Sequence, residues 1–263
     1  MIKVGVFGAG GRMGATVCRA VLDDPSLELV AAVDPERAGI DLDQLGVRGT
    51  DLQVSAKPGA MKKAGVEVAV DFTVVDAARE NLRFCAANRI HAVVGTTGFT
   101  AHDLDGFREE FAPGRVNAVI APNFAIGAVL MMRFAEIAAP HFETAEIIEY
   151  HHDGKVDAPS GTALTTAARM AAASGAWAAD PTTDEVLSGA RGGAGPSDIR
   201  VHAVRMRGVV ANQEVIMGTT GQTLTIRHDT TDRTSFMPGV LLAVKAVSDR
   251  PGLPVGLDAL LDI

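Results

Sequence analysis

The sequence predicts an α/β fold: an N-terminal doubly wound parallel sheet, followed by an α+β domain with an open, mixed sheet. Three observations support this. Apolar, strand-like runs alternate with helical patterns over the first 120 residues, which is typical of parallel strands covered on both faces. The pattern then changes to one strand, an alanine-rich helix and three further strand candidates. A last apolar helix pattern closes the chain and predicts a return to the first domain.

The first half contains five predicted strands joined by right-handed crossovers. The strands are residues 4–7, 29–33, 66–72, 91–94 and 116–120. Helical patterns lie between several of them, at residues 13–22, 76–88 and 102–111. A long apolar helix at residues 124–139 is predicted to lead the chain out of this domain.

The second half is predicted from its strand and turn signals. In chain order these are a strand at 145–150, a helix at 162–174, a glycine-rich loop at 191–197, strands at 199–206, 214–218 and 223–228, and a helix at 236–246. The turn at 220–222 is typical of a hairpin. The predicted domains are therefore residues 1–123 with 236–263 returning, and residues 124–235.

Composition excludes several classes of protein. A net charge of −8 without a basic stretch argues against nucleic-acid binding. No apolar run reaches the ~18 residues of a membrane helix, and IKVGVF begins a strand pattern where a secretory signal would stand. Cys18 and Cys85 are single cysteines within helical patterns, which predicts no disulfide framework and a reducing, cytoplasmic location.

A glycine-rich loop, GAGGRMG at residues 8–14, follows the first strand and opens a helix. Backbone amides at such a turn can approach a pyrophosphate, which predicts a Rossmann-like dinucleotide site. Met13 occupies the place of the third glycine, so an ordinary strand-to-helix turn is the alternative. Asp34 follows Gly10 by 24 residues and ends the second strand, where a carboxylate can bind ribose hydroxyls. Asp34 could also be only a turn residue, and the nearby Arg37 could pair with a 2′-phosphate, so NAD is expected to be preferred with NADP possible.

The stretch EYHHDGKVDAPSGTA at residues 149–163 concentrates polar groups. Adjacent residues of a strand point to opposite faces, so His151 and His152 are not expected to share a ligand, and no metal site is predicted. Lys155 lies on the following turn and could reach back. Residues 160–162 open a helix whose free amides suit a carboxylate, although Ser160 alone is more simply read as an N-cap.

The HHDGKVDAPSGTA string resembles the signature of the 4-hydroxy-tetrahydrodipicolinate (dihydrodipicolinate) reductase family of lysine and diaminopimelate biosynthesis. Further segments resemble the family in order: GAGGRMG, VDFT at 70–73, GTTGF at 95–99, APNFAIG at 121–127 and LTIRHDTTDRTSFMPGVLLAV at 224–244. The resemblance covers nearly the whole chain. Asn212 stands where relatives can carry histidine.

The resemblance implies NADH or NADPH as cofactor, a small cyclic dicarboxylate as substrate and a homotetramer held by the second domain. It implies His151 as acid/base and Lys155 as proton donor, with the choice between them open. Implied substrate contacts are His152, Gly161 and Thr162, to which the helix start adds Ser160. Implied cofactor contacts are Gly8, Ala9, Gly10, Gly11, Arg12, Met13, Asp34, Gly95, Thr96, Thr97, Ala121, Pro122, Asn123 and Phe124.

Two other functions compete with this one. A non-catalytic dinucleotide sensor could use the same fold, but it would not need the histidines, the lysine and the helix start together. Another two-domain NAD(P)-dependent enzyme, such as a sugar or semialdehyde dehydrogenase, is the second alternative. A semialdehyde dehydrogenase needs a nucleophilic cysteine, and Cys18 and Cys85 lie far in sequence from the His-Lys cluster.

Overall fold

A computed structural model of the chain describes residues 1–112, 114–261 and 263. It divides into two compact units, Met1–Ala125 with Phe236–Ile263, and Ile126–Ser235. Residues 113 and 262 of the predicted first domain lie outside the described residues. The first unit runs to Ala125 instead of residue 123 because Phe124 is buried and packs against Phe72, with ring centroids 5.7 Å apart.

The described elements follow one another in an order close to the prediction. They are β1 Ile2–Phe7, α1 Arg12–Asp23, β2 Leu27–Val33, α2 Gly59–Lys63, β3 Val68–Asp71, α3 Val75–Asn88, β4 His91–Val94, α4 Ala101–Glu110, β5 Ala118–Ile120, α5 Ile126–Ala138, β6 Thr144–His151, α6 Gly161–Ala173, β7 Gly193–Ala194, β8 Arg200–Arg205, β9 Ala211–Thr219, β10 Gln222–Thr230, α7 Met237–Ala246 and α8 Asp258–Leu261. The short elements α2, β7 and α8 were not predicted.

The first unit is built on a parallel five-stranded sheet in the order β2-β1-β3-β4-β5. Every residue of β3 and β5 is buried, as predicted for strands covered on both faces. The chain runs outward from β1 to β2 and then crosses back to β3, so the strand order reverses between β1 and β3. Ligands of open α/β sheets bind at such a reversal, outside the carboxyl ends of the strands.

The C-terminal segment completes the first unit at its β5 edge. The Asn117 side chain donates to the carbonyls of Val247 and Ser248, both at 2.9 Å, and accepts from Gly252 N at 3.1 Å. Beyond it, Ala118 N donates to Gly252 O at 3.0 Å. These bonds satisfy an edge that would otherwise be open, which explains why a segment so late in the chain returns to this sheet.

The second unit contains a mixed sheet in the order β10-β9-β6-β8-β7. Strands β6 and β8 are parallel, and the other neighbours are antiparallel. Helices α5 and α6 contact one face, where Ile147, Val215 and Met217 are fully buried. The loop predicted at 191–197 contains β7, a two-residue edge strand that pairs with β8, because Gly193 and Ala194 are extended beside Val201 and Arg200.

We expect Gly14→Ala to destabilise the first unit by about 1–3 kcal/mol, because overpacking costs that much. A Cβ on Gly14 would lie 2.0 Å from the Gly8 carbonyl oxygen, which belongs to the backbone and cannot move aside easily. The matched control is Gly106→Ala in exposed α4, where a Cβ meets nothing within 4 Å. Alanine there should stabilise the helix by roughly 0.5–1 kcal/mol. Denaturant unfolding measures both changes, and equal stability of the two variants would contradict the packing argument.

Candidate cofactor and acid–base sites

The glycine-rich loop leaves the start of α1 open to an anion. Gly8 adopts φ +70°, and Gly11 N donates to Gly8 O at 3.0 Å, which closes the turn. Gly11 is the N-cap of α1 and has no side chain to cap it, and the first turn carries no acidic residue. Gly11 and Arg12 are exposed. The helix amides and the positive end of the dipole therefore fit a pyrophosphate.

Asp34 lies beside this loop at the carboxyl end of β2. Its Oδ2 accepts from Gly10 N at 3.0 Å and its Oδ1 from Glu36 N at 3.0 Å. It therefore serves as a turn residue, the alternative considered above, and also places a carboxylate against the glycine loop. The Arg37 side chain packs on the same turn, because a Cβ on Gly10 would lie 2.3 Å from Arg37 Cγ.

A buried carboxylate, Asp71, organises the ends of β3 and β4. Asp71 is 2% exposed and accepts from Thr73 N at 2.8 Å, Thr73 Oγ1 at 2.6 Å and Asn81 Nδ2 at 2.8 Å. Thr96 Oγ1 donates to Thr73 O at 2.9 Å, which ties the loop after β4 to the loop after β3. Gly95 must be glycine, since a Cβ there would lie 2.1 Å from the Phe72 ring.

The structure brings the sequence-predicted cofactor residues to one edge of the first unit. The loops after β1, β2, β3, β4 and β5 all leave the carboxyl ends of neighbouring parallel strands. Thr97 and Pro122 are exposed there, whereas Ala9, Ala121 and Phe124 are buried and contribute backbone or packing. Asn123 Oδ1 accepts from Ala125 N at 2.8 Å and shapes the last loop.

In the second unit, His151 is the last residue of β6, and Glu149 lies two residues earlier on the same, buried face. Arg205 on β8 donates to both Glu149 carboxylate oxygens, from Nη1 at 2.9 Å and from Nη2 at 2.8 Å. Ser160 N donates to Glu149 Oε1 at 3.1 Å. The His151 Nδ1 atom also contacts the Glu149 carboxylate. Four donor atoms thus surround one carboxylate with no exposed surface.

The charges of this cluster fix its protonation states. Burial raises the pKa of Glu149, but hydrogen bonds from Arg205 and His151 outweigh it, so the pKa lies below its usual value and the carboxylate is ionised. An ionised carboxylate only accepts, so His151 Nδ1 carries the proton between them. Burial lowers the pKa of His151, and the charges of Lys155 and Arg205 lower it further against the opposing contact with Glu149. His151 is therefore a neutral imidazole near pH 7, with Nε2 as its acceptor.

Lys155 and His152 lie on the turn after β6. Lys155 Nζ is 2.8 Å from each carboxylate oxygen of Asp157 and lowers the pKa of that carboxyl. Lys155 N donates to His152 O at 3.1 Å, which closes the turn. Since β6 ends at His151, His152 lies outside the strand. Strand alternation therefore does not set its direction, and the exposed ring packs beside Gly154.

Residues 160–162 begin α6. Ser160 is 3% exposed, its Oγ accepts from Ala163 N at 3.2 Å and its amide is bound by Glu149. The N-cap reading of Ser160 therefore describes the local structure, and Ser160 belongs to the framework of the helix start. Gly161 is exposed and Thr162 half-buried in a first turn without acidic residues, which suits an anion.

Other chemistries find little support in the described part of the chain. No group of three or more histidine, cysteine or acidic side chains there is placed to hold a metal ion. Both cysteines are buried; burial raises the pKa of Cys18 to about 12 and also raises that of Cys85, so neither is a ready nucleophile. No helix among the described residues is long and apolar enough to cross a membrane.

Sequence reasoning missed three residues of these sites: Glu149, Arg205 and Asp71. Glu149 was recognisable, because it precedes His151 by two residues in a predicted strand and so shares its face. Asp71 was also recognisable, because it is the last residue of the otherwise apolar strand VAVD, and a polar residue at that place stands out. Arg205 carried no local signal, since it lies 56 residues from Glu149.

Comparisons with known proteins agree along the whole chain. Models of the N-terminal and C-terminal parts of dihydrodipicolinate reductase match residues 2–124 and 127–261. The chain is 50% identical to the 4-hydroxy-tetrahydrodipicolinate reductase of Nocardia farcinica, over 100% of this chain and 99% of the relative. It is 49% identical to that of Cutibacterium acnes, over 100% of both chains.

Solved structures give the same result. The dipicolinate-bound dihydrodipicolinate reductase from Paenisporosarcina sp. TG-14 superimposes with a TM-score of 0.84 at 36% identity, covering 98% of both chains. An amine dehydrogenase from Mycobacterium smegmatis reaches a TM-score of 0.63 at 16% identity over 98% of this chain and 95% of its own, and so is similar in fold alone.

Proposed function

The chain belongs to the dihydrodipicolinate reductase family and is an NAD(P)H-dependent 4-hydroxy-tetrahydrodipicolinate reductase of lysine and diaminopimelate biosynthesis, and we propose how its residues divide the work. The first unit holds the dinucleotide, and the second holds the dicarboxylate and supplies the proton. The observation that carries this division is the cluster at the end of β6, where an oriented histidine, a lysine and a helix start lie together. A non-catalytic sensor would have no use for that cluster.

The first unit fits the dinucleotide through its loops. The amides of Gly11, Arg12 and the next residue of α1 hold the pyrophosphate, and Asp34 accepts from the ribose hydroxyls. Residues 95–97 and 121–124 line the remainder of the dinucleotide. Asp34 repels a 2′-phosphate whereas Arg37 attracts one, so NADH is preferred and NADPH is accepted. The bound nicotinamide supplies a hydride, and the protein supplies position and charge.

The second unit fits a small ring with two carboxylates. The exposed amide end of α6 at Gly161 and Thr162 holds one carboxylate, and His152 and Lys155 lie on the turn that precedes it. Dipicolinate, itself a ring dicarboxylate, is bound in the relative from Paenisporosarcina, which supports a substrate of this class. Ser160 contributes by fixing the helix start, with its hydroxyl engaged as the N-cap.

The hydroxyl group of the substrate leaves as water to give a conjugated imine, and reduction of that imine requires one proton besides the hydride. Electron density moves toward the ring nitrogen when the hydride arrives, and the neighbouring carbon is then protonated. Lys155 is the proton source, because an ammonium group can donate where the neutral His151 cannot. His151 Nε2 acts as the acceptor that orients this donor, whose charge is near enough to lower the pKa of the imidazole. A positioned acid of this kind contributes ~10²–10⁴-fold.

The open face of the second sheet supports a homotetramer. Among the described residues, the face opposite α5 and α6 carries half-buried Ile148, Tyr150 and Ile216. Arg227 lies over the Tyr150 ring at 5.2 Å and bonds Glu214 at 2.9 Å. A sheet face that mixes apolar and paired charged side chains suits burial against other copies of the chain. The buried, unpaired cysteines and the biosynthetic role support a cytoplasmic location.

Asp34→Asn should weaken discrimination against NADPH, and Arg37→Ala should strengthen it. Asparagine retains an oxygen for Gly10 N but loses the charge that repels a 2′-phosphate. Because a hydrogen bond to a charged group contributes about 1.5–3 kcal/mol, the NADH to NADPH ratio of kcat/KM should move by ~10-fold or more in opposite directions. The assay runs both nucleotides side by side. A native protein that strongly prefers NADPH, with Asp34→Asn unchanged, would show that Arg37 governs the pocket.

Lys155→Ala should lower kcat by at least ~10²-fold and leave NADH affinity nearly unchanged. His151→Ala should lower kcat more than it raises KM, and His152→Ala should do the reverse if His152 only holds substrate. Arg207→Ala is the matched control, because it removes an exposed cation that pairs with Asp153, a residue on the same turn as Lys155. Near-native kinetics of Lys155→Ala would remove the mechanism, and equal losses of NADH affinity in all three variants would make the cluster structural.

Ile216→Asp should reduce the assembly below four chains of 27.3 kDa each, because it places an unpaired charge on the open face. The control is Ala87→Asp, an exposed position on α3 of the first unit. Multi-angle light scattering of the native protein and both variants gives the masses. A native monomer at micromolar concentration would contradict the tetramer.

A further inference from the structure

We propose that Glu149 is a positioning residue that holds His151 in one tautomer, with the proton on Nδ1 and Nε2 left as acceptor, and that Arg205 holds Glu149 for this task. The inference rests on the proposed function, because it concerns the histidine of that site. It extends the function by naming two residues, on β6 and β8, that determine which imidazole nitrogen is available to the reaction.

Burial rules out a direct role for Glu149 in binding substrate. Its side chain is 0% exposed, so the carboxylate can act only through the groups that surround it. Arg205 occupies both oxygens from one side, and Ser160 N adds a third bond to Oε1. His151 Nδ1 reaches the same carboxylate from the strand end. All four partner atoms are donors, and a carboxylate with such partners remains ionised and accepts only.

The register of the sheet places these groups together. Glu149 and His151 share a face of β6 because they are two residues apart. In the parallel pairing of β6 with β8, His151 lies opposite Arg205. Arg205 also donates from Nη2 to Asp157 O at 2.6 Å, in the segment that leads to α6. One buried ion pair therefore fixes both the imidazole and the start of the helix proposed to bind the substrate carboxylate.

The second unit contains another carboxylate that is held by an arginine beside a histidine, and this group lies away from His151. On the opposite face of β6, Glu146 Oε2 lies 2.6 Å from His202 Nε2, and Arg191 donates to Glu146 at 2.5 Å. This pair has the same residue types, a carboxylate held by an arginine beside a histidine. It lies at the start of β6, away from His151 at its end. Removing its charge tests the general cost of breaking such a pair.

The test compares Glu149→Gln with Glu146→Gln. Glutamine has one acceptor oxygen for four donors, so its NH₂ group must face one of them, and the Nδ1–H tautomer loses its support. We expect Glu149→Gln to lower kcat by ~10²-fold or more, as a wrong tautomer does in other histidine-dependent enzymes, with NADH affinity unchanged. Glu146→Gln should keep near-native kcat.

Two readouts separate positioning from folding. In ¹⁵N spectra the His151 ring should be protonated at Nδ1 in the native protein, and this signature should be lost in Glu149→Gln. The protonated imidazole loses its carboxylate partner in the variant, so its pKa falls. The low-pH limb of kcat, where neutral His151 becomes protonated, should therefore move to lower pH. An unchanged tautomer and an unchanged limb would overturn the proposal.

A double-mutant cycle with His151→Ala distinguishes this proposal from the proposed function. If Glu149 acts through His151, Glu149→Gln should cost little further activity in the His151→Ala background. Native kcat in Glu149→Gln together with a loss in His151→Ala would overturn the positioning role alone. Native kcat in His151→Ala would instead overturn the proposed role of the histidine. If Glu149→Gln folds poorly, Glu149→Asp replaces it in the test, because it keeps the charge but shortens the side chain by one methylene. Native kcat in Glu149→Asp, together with a displaced His151 ring, would equally refute the proposal.

Discussion

A carboxylate without exposed surface organises the second unit. Moving an ion out of water costs several kcal/mol even after relaxation, so Glu149 can remain ionised only where donors surround it. Those donors come from three places: a guanidinium on β8, a backbone amide at the start of α6 and an imidazole at the end of β6. The fold must bring all three elements to one point. Removing a single partner of such a buried pair typically costs about 3–5 kcal/mol, so the arrangement is stiff, which is what an oriented imidazole requires.

The first unit also contains a buried acidic side chain held by hydrogen bonds, but there it fixes loops instead of an imidazole. Asp71 is buried at the end of β3 and is bound by Thr73 and by Asn81 of α3. Through Thr73 it reaches Thr96, so the loops after two neighbouring strands share one polar network. A parallel sheet directs both loops to its carboxyl edge, and the buried carboxylate fixes their conformation there. Each unit therefore builds its candidate site on a buried acidic side chain in the last residues of a strand.

The sequence predicted the parts of the fold that depend on local pattern. Strand β4 was placed to the residue, since three of its four residues are buried and Gly95 follows it directly. The start of α6 was predicted at residue 162, only one residue after its observed start at Gly161, because Ser160 caps the helix. Strand pairings between residues far apart in the sequence have no such local pattern. The parallel register of β6 with β8, which sets Arg205 opposite His151, follows from tertiary packing and not from local propensity. The alternation argument treated both His151 and His152 as strand residues, but β6 ends at His151, so His152 has no direction set by a strand.

The two ion pairs of the cluster differ in a way that matches their tasks. The Arg205–Glu149 pair has a fully buried carboxylate and two parallel hydrogen bonds, whereas the Asp157 side chain of the Lys155 pair is 60% exposed. An exposed pair competes with water and is held weakly. A carboxylate of the substrate could therefore replace Asp157 at Lys155 with little loss, while no ligand could displace Glu149 from Arg205. The proposed proton donor, Lys155, is thus the loosely held group, and the histidine proposed to keep its orientation, His151, contacts the buried carboxylate.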